Sequence, residues 1–493
     1  MRGIYPIGLA LWLVGASTAA GCNLVWFAFG GERLPCAGHF ACPKGTWCVD
    51  STCLRCSGDQ DCPSGMSCAT EIGQCLAGPL RPLVAAGDSH TCAVTQSSPL
   101  KCWGANNQGQ LGLGSTREYG GAPGEMGAAL PAVELPSGWA VQLLAAGRAH
   151  TCVNALDATG AQRLACWGSN GSGQLGIGDV LTRGDALDEM AAGLKPVGLH
   201  QRQVAQLVAG KDTNCILTGD GEIDCWGDNG VGQLGLGDTL SRGDDPDELG
   251  VRLQFVDLAG IAKRIAHRGD HGCAVIVDGR VKCWGGNASG QLGLDDTRGR
   301  GDEPGEMGIL LPPVDLGFFA EANEVVVGSD FSCALLPNGD VRCWGANDRG
   351  QLGLGDTAAR SGPGGDQGVP VDLDQSAAIK VVVAGDRHAC ALFSNGGVRC
   401  WGDNAFGQLG LGDTGNRGDG PDEMGDHLPP ISLGSGRTAS AIAAGAFHTC
   451  ALLDDGALKC WGRNDSGQLG LGDTDNRGDG PDEMGDRLPA IAL

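Results

Sequence analysis

The dipeptide Cys-Trp recurs seven times, ending at Trp103, Trp167, Trp226, Trp284, Trp344, Trp401 and Trp461, at intervals of 64, 59, 58, 60, 57 and 60 residues. So regular a spacing marks one supersecondary unit copied along the chain, and such a unit buries its apolar face only against a neighbouring copy. A solenoid and a closed propeller both meet that condition. Four short extended segments are legible per copy, as in "LPPISL" (428–433), "SAIAAG" (440–445), "HTCALL" (448–453) and "ALKCWG" (457–462), the pattern of a propeller blade. A solenoid needs polar capping repeats at both ends, and none is visible. The first copy opens at "RPLVAAGDSHTC" with no "LPxxxL" segment before it, and the chain stops at "LPAIAL" (488–493) with no copy after it. We therefore expect the last segment to complete the first blade and leave no free sheet edge. The expected fold class is all-β: a seven-bladed β-propeller over residues 79–493, closed by the C-terminal strand and preceded by a small disulfide-rich module.

Within each copy two cysteines flank a turn. Cys450 and Cys460 lie ten apart with Asp455 midway, so a three-residue loop Asp454-Asp455-Gly456 sets Leu452 opposite Leu458 and Cys450 opposite Cys460. Gly456 supplies the positive φ that the last loop position needs, as do Gly221, Gly279, Gly339 and Gly396 in other copies. Opposed residues have Cβ atoms about 4.5–5.5 Å apart, within reach of a disulfide. Cys152 and Cys166 are 14 apart, yet their midpoint is Thr159 with Gly160 following, so both arms are longer by two and the cysteines still face each other. Seven intrablade disulfides are expected, Cys92–Cys102, Cys152–Cys166, Cys215–Cys225, Cys273–Cys283, Cys333–Cys343, Cys390–Cys400 and Cys450–Cys460, in preference to reduced buried thiols. Trp461, one residue past Cys460, points to the opposite sheet face, so Leu458 and Cys460 serve one blade interface and Trp461 the other. The seven tryptophans read as packing wedges rather than exposed stacking platforms.

The N-terminus, "MRGIYPIGLALWLVGASTAAGC", has Arg2 followed by a 14-residue apolar or small stretch, too short to span a bilayer and typical of a secretory signal. Ala19, Ala20 and Gly21 before Cys22 resemble a bacterial lipobox, which implies a signal peptide over 1–21 and acylation of Cys22; ordinary cleavage nearby is the alternative. The chain has 23 cysteines, an odd number: eight lie between Cys36 and Cys75, fourteen lie in the blades, and Cys22 is left over for the lipid. Residues 22–35 then form a tether. Residues 36–76 carry two similar quartets (Cys36, Cys42, Cys48, Cys53 and Cys56, Cys62, Cys68, Cys75) and read as a module held by disulfides of open connectivity. Cys53-x-x-Cys56 has no second such pair at zinc-ribbon spacing.

With 58 acidic against 34 basic residues and a net charge of −24, the surface repels phosphate backbones and anionic headgroups, so nucleic acid is not an expected partner.

The unit "CWGxNxxGQLGLGD", preceded by "GxxHTCAL", resembles the regulator-of-chromosome-condensation repeat; "CWGANDRGQLGLGD" (343–356) and "CWGDNAFGQLGLGD" (400–413) show it best, and the likeness covers all seven copies. The resemblance implies a seven-bladed propeller that binds proteins through loops on one face. Known members include a nuclear guanine-nucleotide exchange factor for a small GTPase, a plant ultraviolet sensor that uses a tryptophan cluster, and a secreted bacterial inhibitor of β-lactamases. Exchange activity is thus one implied function, and inhibition or regulation of an envelope enzyme another. Fold alone selects neither.

Several motifs invite chemistry. His90, His150, His271, His388 and His448 stand two residues before the first hairpin cysteine, where Thr213 and Phe331 replace them in other copies, and their repetition argues for a structural role. "GQLGLGD" lacks the Lys-Ser/Thr of a phosphate loop and reads as a turn. No serine triad, His-Glu-x-x-His or paired-carboxylate arrangement appears, so an enzyme is not expected. Acidic loops such as "GDTDNRGDGPDEMGD" (472–486) could offer calcium the oxygens of Asp473, Asp475, Asp479, Asp482 and Glu483, but their order matches no known calcium loop, and a solvated loop facing a partner is the preferred reading. Five Arg-Gly-Asp triplets, at Arg183, Arg242, Arg300, Arg417 and Arg477, are products of duplication rather than adhesion signals. The fifth copy departs most, with "AARSGPGGDQG" (358–368).

The expected protein is therefore an exported lipoprotein of a bacterial envelope. Its disulfide-laced propeller is expected to bind another envelope or secreted protein through acidic loops that connect the blades. No cofactor is required, with calcium as the one candidate.

Overall fold

Each pair of cysteines closes the hairpin that its midpoint turn dictates. In the computed structural model His448–Leu453 pairs antiparallel with Leu458–Gly462, and Cys450 faces Cys460 across the ladder. Gly456 turns the loop at φ 84°, with its amide donating to the Leu453 carbonyl. In the second copy Cys152 faces Cys166 despite the longer arms. The structure describes residues 83–95, 98–198, 202–317, 320–364, 368–373 and 377–493, with the backbone of five short strands between residues 34 and 77.

From Leu83 onward seven three-stranded antiparallel sheets follow one another. The first is Leu83–Ala86, His90–Thr95 and Ser98–Gly104; the seventh is Ala439–Ala444, His448–Leu453 and Leu458–Gly462. First strands of successive blades touch all the way round, the seventh against the first, so they line the axis of a closed ring.

The fourth segment differs from the expected strand. Instead of joining a ladder it makes one main-chain bond to the third strand of its own blade: Val133 to Leu100, Val256 to Ile223, Ile431 to Val398 and Ile491 to Leu458, at 2.8–2.9 Å. Proline stands in this segment in six copies, although the third, "LQFVDL" (253–258), has none and makes the same single bond. Pro429 and Pro430 in "LPPISL", and Pro489 in "LPAIAL", remove the amides a ladder needs. The C-terminal segment, bonded through the Ile491 amide to the Leu458 carbonyl, completes the seventh blade rather than the first. It still bridges the ring, because the Ala492 carbonyl accepts a 3.0 Å hydrogen bond from the Gly127 amide in the first blade's long loop.

The core lies in the seams between blades. Trp461 packs against Cys390, Cys400 and Leu409 of the preceding blade, while Cys450, Cys460 and Leu458 pack against Trp103 of the blade that follows round the ring. All seven tryptophans are fully buried. The seven disulfides have S–S distances of 1.97–2.11 Å and Cα–Cα distances of 4.0–4.1 Å.

The N-terminal unit, residues 1–81, is a separate compact unit. Its described backbone comprises a three-stranded sheet (Leu34–Pro35, Thr52–Leu54, Trp47–Val49) and a hairpin of Met66–Ala69 with Gln74–Ala77, with Cys48 in register with Cys53 and Cys68 with Cys75. The expected signal peptide, Cys22 and the side chains of the cysteine-rich module lie outside the described residues.

Candidate binding face

Because the chain reverses at every connection, two kinds of loop emerge on one side of the ring: the turns between first and second strands, and the long loops after the third strands. They are stitched together, as where Ala105 donates to the Ser89 carbonyl at 2.8 Å and Arg463 to that of Phe447 at 2.9 Å. The hairpin turns emerge on the opposite side.

The repeated histidines belong to the seams beneath this face. His388 Nε2 lies 3.0 Å from Thr449 Oγ1 of the next blade, and the same reach joins His90 to Thr151, His271 to Ser332 and, closing the ring, His448 to Thr91. Thr449 Oγ1 donates its one proton to the Gln408 carbonyl at 3.0 Å, so it accepts from the imidazole, which therefore carries its proton on Nε2. His150 gives the same tautomer independently. Its Nε2 faces Asn214 Oδ1 while Asn214 Nδ2 donates to the Gln174 carbonyl. The five Nδ1 atoms are left without partners, and burial pushes the pKa of His90, His271, His388 and His448 down from 6.5 to about 3 and lowers that of His150 as well. Neutral imidazoles fixed in buried seams are structural parts.

"GQLGLGD" is a turn, and one with a task. The Gln408 carbonyl accepts from both Thr449 Oγ1 and Trp461 Nε1, the latter at 3.0 Å, so the loop of one blade anchors the wedge of the next. Gly410 must be glycine, since a Cβ there would lie 2.8 Å from Trp461 Nε1. Asn464 clamps the following loop, donating to the carbonyls of Asp473 and Asp475 and accepting from the Leu469 amide.

The acidic loops divide into two classes. Inner carboxylates hold the loop: Asp473 receives Arg477 and Asn464, and Glu483 receives the amides of Gly478 and Gly480. Outer ones, such as Asp245, Asp247, Glu303, Asp422 and Asp475, stand in solvent. Asp479 is within 3.5 Å of Asn476, and Asp482 pairs with Arg487 at 3.1 Å. Among the described residues no three or more His, Cys, Asp or Glu side chains are grouped as a metal site. The Arg-Gly-Asp arginines are likewise occupied. Arg477, with 20% of its side chain exposed, bonds Asp473 and two backbone carbonyls, and Arg183, Arg242, Arg300 and Arg417 do the same. Arg360 of the divergent fifth copy keeps its pair with Asp356.

At the centre of the face is a cavity of about 200 Å³ whose charged lining the repeat pattern does not anticipate. Arg268 of the fourth blade reaches across the axis to Asp386 at 3.0 Å, the Ala444 carbonyl at 3.3 Å and Asp88 at 3.8 Å. Burial, reinforced by Asp386, raises Asp88 to about 6. Arg148 pairs with Asp212 on the same rim. Sequence reading passed over these residues. The usable signal was departure from the repeat: Arg268 stands three residues before its histidine, where other copies place Gly87, Gly147, Gly385 or Gly445.

The fold resembles that of Prp20p from Saccharomyces cerevisiae, a protein characterised for its binding properties to Gsp1p and histones: TM-score 0.55, 21% identity, 81% of this chain and 86% of that one covered. In sequence, the ultraviolet-B receptor UVR8 of Arabidopsis thaliana is 31% identical over 310 residues, 62% of each chain. The probable E3 ubiquitin-protein ligase HERC6 of Homo sapiens is 29% identical over 302 residues, 60% of this chain and 26% of the ligase. The chain thus spans less than two thirds of either relative. Two profiles of the regulator of chromosome condensation (RCC1) repeat match residues 83–110, 204–233, 323–351, 379–408 and 439–468, and residues 102–153, 338–392 and 395–452. Together they span about half of the chain and fall on the seams and loops described above, and the chain belongs to the regulator of chromosome condensation repeat family.

Proposed function

We propose that this protein is a non-enzymatic binding propeller, displayed on a bacterial cell envelope by an N-terminal lipid, that engages another envelope or secreted protein through the face bearing the long loops. The observation that carries this reading is where the copies agree and where they differ. Beneath the face every seam repeats one anchor, the tryptophan indole donating to the Gln carbonyl of the preceding blade's loop. On it, the position two before each histidine or its replacement runs Asp88, Arg148, Lys211, Gly269, Ser329, Asp386 and Ala446. A rim that changes from blade to blade is suited to an asymmetric partner, and the outward carboxylates suit a basic one. Seven disulfides suit an oxidising compartment.

The test is cross-linking in intact cells that express the tagged full-length chain, followed by denaturing purification and mass spectrometry. It is run beside a variant with Asp245→Asn, Asp247→Asn, Glu303→Gln and Asp422→Asn, which leaves the inner carboxylates alone. We expect an exported or envelope protein to be attached to the unaltered chain and lost from the variant. Equal recovery from both would overturn binding through the loops, and recovery of a small GTPase would replace the envelope reading with nucleotide exchange.

A further inference from the structure

Three side chains that break the repeat meet at one place on this face. Phe406 lies five residues after its Cys-Trp tryptophan, where other copies carry Gln108, Ser172, Val231 or Arg349; Phe447 directly precedes His448, where Ser89, Ala149 or Asp330 stand elsewhere; and Arg463 replaces Ala105, Ser169 or Gly286. They come from two adjacent blades, yet the Phe406 and Phe447 rings stand edge to face with centroids 5.5 Å apart. The Arg463 guanidinium sits 5.2 Å from the first ring and 5.8 Å from the second. Both rings are half-buried. In a chain built by copying, three independent departures that touch one another mark a place where the scaffold's own packing is not what chose the residues.

Beside them opens a cavity of about 500 Å³ lined by Phe406, Arg463, Asp465, Asp475, Asp479 and Glu483, among others. Its charge is unbalanced. Arg463 neutralises Asp465 at 2.5 Å and Glu483 is held by backbone amides, but the Asp475 carboxylate has no partner among the described residues. A half-buried aromatic edge beside unopposed carboxylate attracts a cation that carries apolar surface, the chemistry of an arginine or lysine side chain with its aliphatic stem.

We propose that the junction of the sixth and seventh blades is the anchor of the binding face, taking a basic side chain from a segment of the partner protein. This rests on the protein-binding reading above and adds to it a place and a chemistry. Phe406 supplies a ring face for the stem and the cation, Phe447 and Arg463 fix that ring, and Asp475 with Asp479 receives the charge.

The test replaces Phe406 with the photo-cross-linker p-benzoylphenylalanine in the full-length chain in cells, with the same replacement at Val231, the equivalent position three blades away, as control. We expect position 406 to attach to a protein segment with Lys or Arg within a few residues of the cross-link. With that protein purified, Phe406→Ala and Asp475→Asn should each weaken its binding at least about tenfold while leaving the thermal midpoint unchanged. A partner captured at 231 but not at 406, or affinity unmoved by both substitutions, would overturn this anchor and leave the protein-binding reading standing. Attachment of a non-protein molecule at 406, or of nothing at either position, would overturn both.

Discussion

The seam between the sixth and seventh blades and the one before it perform the same task with opposite chemistry. In the former, His388 donates to Thr449, which donates to the Gln408 carbonyl. In the latter, the same two places hold Phe331 and Ala389, both fully buried. The seam between the third and fourth blades is a third solution. Thr213 stands in the histidine position and Gly272 opposite, and the space is filled by His267, whose Nδ1 lies 3.1 Å from Thr213 Oγ1 and whose Nε2 faces the Gln233 carbonyl at 3.2 Å. The two positions therefore change together. An imidazole is kept only where the next blade offers an acceptor, because a buried N–H without one costs about 1–3 kcal/mol.

Acid separates the polar seams from the apolar one, and acts on every polar seam at once. Burial holds His90, His271, His388 and His448 at about 3 and His267 at about 4, against 6.5 for the exposed group, and lowers His150 too. Between those values the unfolded chain binds protons that the folded chain refuses, so stability is full above pH 6.5 and falls as pH drops through that window. Asp88 and Asp224, raised to about 6 by burial, act in the opposite sense, as do Glu118, Asp244, Glu324 and Asp330, which burial also raises; the six imidazoles lead at the upper end of the window, because their proton uptake in the unfolded chain begins at 6.5. Urea midpoints should fall between pH 6.5 and 5, above the range of ordinary carboxylates; a flat profile there would show that the imidazoles do not stay neutral.

The apolar seam should be more sensitive to loss of volume. Phe331→Ala removes a ring from a closed interface and should cost about 3–5 kcal/mol in denaturant unfolding; a cost under 1 kcal/mol would mean that the blades close the gap. The smallest expected effect is the most specific. Thr449→Val strands the His388 N–H and should cost about 1–3 kcal/mol. Adding His388→Phe, which rewrites the polar seam in the manner of its neighbour, should recover part of that loss. Strictly additive costs in the double-mutant cycle would show that the two positions are not coupled.

Much of the scaffold was legible in advance because its rules are local. The midpoint of each cysteine pair fixed the register of its hairpin, the alternation of side chains along a strand sent Cys460 and Trp461 to different seams, and a histidine repeated in five copies argued against chemistry. The fourth segment was read as a strand, but it makes one main-chain bond to its neighbour, and in six copies its proline lacks the amide that a ladder needs. The acidic loops read as one class, although bonding divides them: Asp473 and Asp475 are two residues apart, one held by Arg477 and Asn464 and the other open to solvent.

By itself the sequence determined the number of blades, the cysteine pairing within them and the turn chemistry, because each depends on spacing and on residues close along the chain. Tertiary structure alone decided which departures from the repeat meet. Arg268, Asp386 and Asp88 are separated by more than a hundred residues, and so is each from the next, yet ring closure brings them to one axis. Phe406, Phe447 and Arg463 fall on different loops and become one surface only because neighbouring blades are set side by side. A repeat makes its scaffold readable from any single copy, whereas a site made of the differences between copies exists only once the ring is closed.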